Sequence, residues 1–480
     1  METVYKTKNY AMLVDFYELT MTNGYLKHGY KDQVVVFDVF FRKIPDGGGY
    51  VISTGLNEVV DYIMNLSFTN EDIDYLKTLN IFDQEFFDFL LNFKFKGDLI
   101  AVKEGTIVYP NEPVMTIIAP ILEAQLIETM ILLITNHQSL ICTKANRIVN
   151  AAMGRDVIEL GARRAQGFDA AIYGAKAAYL GGVKGTATLL AGQLFDIPVY
   201  GTMAHSWVQF FDSEYEAFEA YAKTYPDSCV LLVDTYNTLK SGIINAIKIH
   251  NEVLKPNGNY LKGVRIDSGD LAFLSKKARK LLDEAGLYDT KIIVSNSVDE
   301  TLILSLIDQD AKIDTYGVGE RLITAKSDPV FGGVYKLVAV KKEESFIPKI
   351  KISDNSEKVV NPGLKKLYRV YDHNGLSFYD ILALDNEVLD EKTILKNPDK
   401  LHKEYHISNN HTLECLHHTI IKDGKLVYEL PSINEIKSYI NDNLSKLQVE
   451  EKRIQYAHTH PLDMTINLLD LKYKLLNKYE

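Results

Sequence analysis

Between Val157 and Leu337 one pattern repeats. A short apolar stretch is followed by a turn rich in polar or charged residues, and then by a helical stretch. "DVIELGARRAQG" sets Glu159, Arg163 and Arg164 behind the first such stretch, and "GGVKGTAT" sets Lys184, Gly185 and Thr186 behind the second. "IPVYGTMAHSW" delivers Thr202 and His205, "CVLLVDTYNT" Asp234 and Asn237, and "GVRIDSGDL" Arg265, Asp267, Ser268 and Gly269. "KIIVSNSVDE" ends on Ser295 and Asn296, and "DTYGVGERLI" on Gly317, Gly319 and Arg321. Helical stretches such as Asp169–Leu180, Thr238–Leu254 and Leu271–Ala285 lie between them. A strand that pairs parallel with the next needs a crossover, and a helix is the usual one, so the alternation predicts a parallel sheet of an α/β fold. The expected form is an irregular, TIM-like βα barrel, in which such turns gather at the carboxyl ends of the strands. Turn chemistry alone explains Gly, Asn and Asp at these places. It does not explain Arg, Lys, several acids and a His recurring there.

The flanks have a different texture. Met12–Lys27 reads as a helix stopped near Gly29, and Val34–Lys43 as a strand. Gly55–Leu66, Glu71–Leu79 and Asp83–Phe93 read as amphipathic helices. Leu99–Ala119 reads as hairpins that turn at Gly105 and Asn111–Pro113, and Ile121–Ala152 as one long helix entering the barrel. After Val340 comes a lysine-rich, strand-like segment, then a mixed region and a charged final helix. The expected division is 1–125 as an N-terminal α+β domain, 126–345 as the barrel and 346–480 as a C-terminal domain, with part of the last completing the first.

Composition narrows the function. A net charge of −11 over 480 residues argues against a general nucleic-acid or anionic-membrane binder. Local Arg and Lys still allow a small anionic substrate. Three widely spaced cysteines suit a reducing compartment without a disulfide framework. The N-terminus carries no signal-peptide pattern. Ile121–Ile134, the most apolar stretch, is interrupted by Glu123, Gln125 and Glu128 and is too polar to span a bilayer. The expectation is a cytoplasmic, soluble protein.

Three local signals carry chemistry. Arg265 and Asp267 are two apart, so on an extended strand they share a face. A cation beside an anion suits a ligand bearing phosphate or carboxylate together with hydroxyls or a metal, or else forms a structural ion pair. "GVG" at Gly317–Gly319 lacks the third glycine of a dinucleotide fingerprint. Behind a late barrel strand it is either a phosphate cradle or a tight turn. His205 is the one His among these loops, a candidate acid, base or nucleophile. The group His402, His406, His411, Cys415, His417 and His418 matches no standard zinc spacing.

Taken in order, "DFYELTMTNGY", "FDVFFRKIPDGGGY", "ELGARRAQGFD", "GTATLLAG", "GTMAHSW", "VDTYNT", "RIDSGDL", "YGVGERL" and "DPVFGGVYKL" resemble the nicotinate phosphoribosyltransferases. These stand with the nicotinamide and quinolinate enzymes among the type II phosphoribosyltransferases. The resemblance implies transfer of a phosphoribosyl group from 5-phosphoribosyl-1-pyrophosphate to nicotinate. ATP is hydrolysed alongside, Mg2+ assists, and the enzyme is a homodimer with active sites at the interface. It implies that His205 is phosphorylated by ATP, and that Arg163 and Arg265 face the nicotinate carboxylate and nearby phosphates. Asp267 and Asp234 are implied near the waters of the Mg2+, with no side chain assigned as a direct metal ligand. Thr186, Ser268, Gly269, Ser295 and Asn296 fall in the matching substrate loops, and Gly317 and Gly319 at the 5′-phosphate. Arg42, Lys326 and Lys336 match positions for nucleotide or pyrophosphate phosphates. Tyr17 matches an aromatic that stacks on the pyridine ring from the neighbouring subunit. Where nicotinamide-using relatives cover the other ring face with Phe, this chain has Leu160.

Two rivals stand beside this reading. The same fold can use nicotinamide, but those relatives carry an Asp where this chain has Ala187, and a carboxylate there would repel nicotinate. A non-catalytic sugar-phosphate or nucleotide sensor is the other, since fold alone does not specify activity.

Overall fold

The structure, a computed structural model, describes residues 9–353, 359–398 and 404–478. The chain forms two compact units, one of Met1–Leu140 with Val330–Glu480, the other of Ile141–Pro329.

In the first unit both ends of the chain share one sheet. Its seven strands run Ser345–Pro348, Gly333–Lys342, Val34–Phe41, Met115–Pro120, Asp98–Val102, His417–Lys422, Lys425–Leu426, all antiparallel to their neighbours. Val34–Phe41 is buried on both faces, consistent with its unbroken apolar run. Phe37 stacks on Tyr335 of the next strand with ring centroids 4.5 Å apart. The segment read as one helix over Ile121–Ala152 is two, Ile121–Gln125 and Glu128–Ala151. A second sheet of six strands occupies the region after Val360: Glu404–His406, Ile394–Lys396, Leu462–Thr465, Ser377–Leu384, Lys365–Tyr371, Thr412–Cys415. Across two of its neighbouring strands Arg369 makes a two-pronged ion pair with Asp380 at 2.8 and 2.5 Å, both fully buried. His460 completes the group, its Nδ1 2.8 Å from Glu451 and its Nε2 3.3 Å from Asp380, with Tyr109 stacked on its ring.

The second unit holds the parallel sheet. Its strands run Asp156–Glu159, Thr315–Val318, Lys291–Val294, Gly263–Ile266, Val230–Leu232, every pair parallel. Two single-residue parallel bridges, Glu159 to Thr186 and Thr186 to Val199, extend it past its first edge. The closed barrel expected from the alternation is not seen. Among the described residues no ladder joins the Val199 stretch to Val230–Leu232, so the sheet is open there. Pro198 offers no N–H to a ladder, and the chain leaves the extended form for a helix at His205. Side chains span that opening instead: Arg265 Nη1 donates to Thr202 Oγ1 at 2.6 Å, and His205 Nδ1 lies 3.1 Å from Thr235 Oγ1. The helices after the strands start on caps the loops supply. Asn237, Asp270 and Asp299 accept from the backbone N–H groups of Lys240, Phe273 and Leu302. Among the described residues no helix is long and apolar enough to cross a membrane.

Candidate active site

The polar residues predicted at the strand ends converge in the second unit. Asp234 leaves the Val230–Leu232 strand, and its Oδ2 accepts from the Asp267 backbone N–H at 2.9 Å and from Ser268 Oγ at 2.6 Å. Its other oxygen, Oδ1, is buried without a hydrogen-bond partner. Asp267 follows the next strand. Its Oδ1 accepts a very short hydrogen bond from Ser295, and its Oδ2 lies 3.7 Å from His205 Nε2. One carboxylate therefore ties the third loop to the histidine, and the other ties two loops to each other.

Arg265 lies one step below. Burial holds its pKa under the ordinary arginine value, with Asp267 and Asp234 pulling the other way and Arg163 adding to the fall. Its Nη1 binds Thr202, while its Nε is buried and unpartnered. A half-desolvated guanidinium with an unused donor is set up for an anion, since an unmet buried donor is costly. Arg163 is exposed on the short turn Ala162–Arg164.

Backbone geometry around these groups is unusual. Asn296 and Ser297, next to Ser295, have φ of 86° and 52°, two successive non-glycine residues in the left-handed region. Such strain persists only where surroundings impose it, and it clusters at ligand sites. Gly269 at φ 80° has the freedom that conformation needs. Gly317 is glycine for space: a Cβ there would lie 2.5 Å from Leu160 Cδ1. It sits inside the Thr315–Val318 strand opposite Ile158, whereas Gly319 precedes the short helix Glu320–Ile323.

Not every predicted residue joins the group. Lys184 pairs with Asp156 at 2.6 Å, at the amino end of the sheet, away from the strand-end loops. Lys326 is exposed and paired with Glu320 at 2.9 Å. His205, expected at a strand end, is the first residue of the helix His205–Phe210. Arg42, Lys336 and Tyr17 belong to the first unit. There burial lowers the pKa of both Arg42 and Lys336; at Lys336 the Glu128 carboxylate opposes the fall and the Arg42 cation adds to it, and Arg42 Nε is buried and unpartnered. Tyr17 keeps 44% of its surface exposed, on the helix Phe16–Lys27, and burial and the nearby Glu128 carboxylate raise the pKa of its hydroxyl. In the histidine-rich segment His402 lies outside the described residues. His417 Nε2 donates to the Pro113 carbonyl at 2.7 Å, and His406 Nδ1 to that of Thr393 at 3.2 Å. Among the described residues no group of three or more His, Cys, Asp or Glu is placed to hold a metal ion.

A model of the nicotinate phosphoribosyltransferase N-terminal domain matches residues 12–136, the family model residues 156–376, and the C-terminal domain model residues 364–472. A nicotinate phosphoribosyltransferase of Bacillus subtilis is 43% identical over 468 residues, 97% of this chain and 95% of its own. The chain belongs to the nicotinate phosphoribosyltransferase family. A Caenorhabditis elegans nicotinate phosphoribosyltransferase is 33% identical over 529 residues, covering 97% of this chain and 92% of its own. The crystal structure of human nicotinic acid phosphoribosyltransferase superposes with a TM-score of 0.86 at 27% identity, covering 96% of this chain and 99% of that one. The nicotinate phosphoribosyltransferase family is one of enzymes, so the sensor reading is not favoured.

Three contacts that support the site do not follow from residue spacing. Thr235 holds His205, Asp299 pairs with Arg321 through a very short contact, and Glu159 ties two loops together. Two of them carry a signal: Glu159 stands behind an apolar stretch, and the place of Asp299 before an apolar run marks a helix cap.

Proposed function

We propose that the chain catalyses ATP-assisted transfer of a phosphoribosyl group from 5-phosphoribosyl-1-pyrophosphate to nicotinate. The products are nicotinate mononucleotide and pyrophosphate, with ADP and phosphate from the ATP. The observation that carries this reading is the joining of Arg265, Asp267, Asp234 and His205 at the open end of one parallel sheet.

As pyrophosphate leaves, ribose C1 gains oxocarbenium character, and catalysis needs charge stabilisation and placement of the incoming ring nitrogen. The ring nitrogen then forms the new bond to C1 while the C1–O bond to pyrophosphate breaks, its electron pair leaving with pyrophosphate. Arg265, with its free buried Nε, is suited to hold substrate anion, and Arg163 stands beside it at the pocket edge. Ala187 sets no carboxylate against a nicotinate anion, which favours the acid over the amide.

In the ATP step a nitrogen of His205 attacks the γ-phosphorus, ADP departs with the electron pair of the broken P–O bond, and water later cleaves the P–N bond. Thr235 occupies Nδ1 and leaves Nε2 toward Asp267. The donor set suits Mg2+ bound mainly through substrate oxygens and water, because Asp234 Oδ1 is a buried, unpartnered acceptor and Asp267 stands near it. When bound, the ion would neutralise charge on the pyrophosphate.

The active form proposed is a cytoplasmic homodimer with shared sites. Turnover of nicotinate with the phosphoribosyl donor, with and without ATP, tests the reading. Nucleotide formation that ATP accelerates supports it, and absence of turnover under both conditions contradicts it.

A further inference from the structure

Glu159 is the last residue of the Asp156–Glu159 strand and is completely buried. Its Oε1 accepts a very short hydrogen bond from the Gly161 N–H, and its Oε2 accepts from the Thr186 hydroxyl at 2.5 Å. That hydroxyl in turn accepts from the Thr188 N–H at 2.9 Å. The backbone of Glu159 is used too: its N–H donates to the Gly185 carbonyl at 3.0 Å, and its C=O accepts from the Ala187 N–H at 2.9 Å. Ala187 is thus held on both sides through one residue.

The other loop is equally constrained. Leu160 N–H donates to the Val318 carbonyl at 2.7 Å. A Cβ on Gly161 would meet Ile323 Cβ at 2.7 Å and the Gly319 carbonyl oxygen at 2.8 Å, so this turn is packed against the following loop. Burial raises the pKa of Glu159, and only neutral donors oppose it, with no cation among the causes. A carboxylate buried without a counter-charge is an expensive way to pack two loops. What it offers in return is two strong acceptors on one rigid fork, aimed at two different turns.

We propose that Glu159 is a positioning residue for the pyridine pocket, fixing the Leu160–Arg163 turn and the Thr186–Thr188 turn at the separation nicotinate requires. The inference rests on the reading that these two turns line the nicotinate pocket. Glu159 does not touch substrate; it acts through Ala187, Leu160 and Arg163.

Glu159→Gln keeps the shape but turns an amide N–H2 toward either the Gly161 N–H or the Thr186 hydroxyl. The expected result is a rise of about tenfold or more in KM for nicotinate, because small misplacements of binding groups are costly. KM for 5-phosphoribosyl-1-pyrophosphate should stay within about twofold, since the glycines assigned to its 5′-phosphate and the acids assigned near its pyrophosphate lie on other loops. Equal rises in both constants, or no rise for nicotinate, would overturn the proposal. If Glu159→Gln gives no cooperative unfolding transition, Thr186→Val removes the same hydrogen bond from the other end and is judged by the same split. Ala187→Asp is measured alongside. If it leaves the nicotinate-to-nicotinamide ratio unchanged, the pocket reading fails and this proposal with it. If it shifts that ratio while Glu159→Gln shows no split, only the role of Glu159 fails.

Discussion

His205 Nε2 lies 3.7 Å from Asp267 Oδ2, while its Nδ1 is engaged by Thr235 at 3.1 Å. The ring is held from both sides, with the carboxylate side open at the mouth of the sheet. A histidine so placed can lose one proton and take up a phosphoryl group without being released from its support.

His205→Ala should therefore fold normally and lose ATP stimulation. Incubation with γ-labelled ATP is expected to give the unsubstituted protein an acid-labile label and to leave the variant blank. Equal labelling of the two would place the phosphoryl group elsewhere.

Arg265→Ala is expected to weaken transition-state binding by at least ~2 kcal/mol, because a charge-assisted contact from a buried guanidinium is lost. Thr202→Val should cost less, since it removes the support at Nη1 but keeps the cation. Steady-state kinetics at saturating donor measure both. A change below about twofold in kcat/KM for Arg265→Ala would make the residue structural only.

A shared site predicts complementation between subunits. Tyr17 is far from His205 in sequence, belongs to the other compact unit and keeps much of its ring surface exposed. A Tyr17→Ala chain and a His205→Ala chain should each be nearly inactive. Mixed by unfolding and refolding, they should regain activity, because some heterodimers carry one intact composite site. Exchange of subunits without recovery would argue for sites built within one chain.

Stability should fall as pH rises from about 4.5 to about 8, and Glu18 is part of the cause. Burial pushes its pKa up to about 8 from 4.5. Its Oε1 accepts from Thr129 at 2.5 Å, and its Oε2 is buried without a partner. In that interval the folded state holds a proton that the unfolded state has released, so raising pH favours unfolding. His460 acts in the same direction. Burial lowers its pKa, but Asp380 and Glu451 outweigh that and raise it overall, so its contribution is present below about 6.5 and is lost above the folded value. Denaturant unfolding across this range should show a shallower pH dependence for Glu18→Gln. An unchanged slope would assign the dependence to other groups.

Much of the site was legible because strand-end loops are read from period and length. Arg265, Asp267, Asp234, Ser268 and Ser295 sit together because each lies within two residues of the end of a strand whose apolar run is plain. The closed barrel was over-read for a physical reason. "IPVYGTMA" has a strand's apolar start, yet Pro198 lacks the ladder donor and pairing stops after one bridge. The six-stranded sheet was hidden because strands such as Glu404–His406 and Thr412–Cys415 are three or four residues long and show no clear alternation. Glu159 was visible as an acid behind a strand. That it faces two turns depends on the Gly161 N–H and the Thr186 hydroxyl, which no spacing rule brings together.

Selection of nicotinate by the proposed pocket is read from the ratio of kcat/KM for nicotinate to that for nicotinamide. The ligands match in size and differ in one group. In the proposed pocket Arg163 and Arg265 would reward the carboxylate, and Ala187 would leave the amide donors without an acceptor, which costs ~1–3 kcal/mol if they are buried. The account predicts a preference for nicotinate of about a hundredfold or more, and a shift toward nicotinamide in Ala187→Asp. Equal use of the two ligands by the unsubstituted enzyme would contradict it.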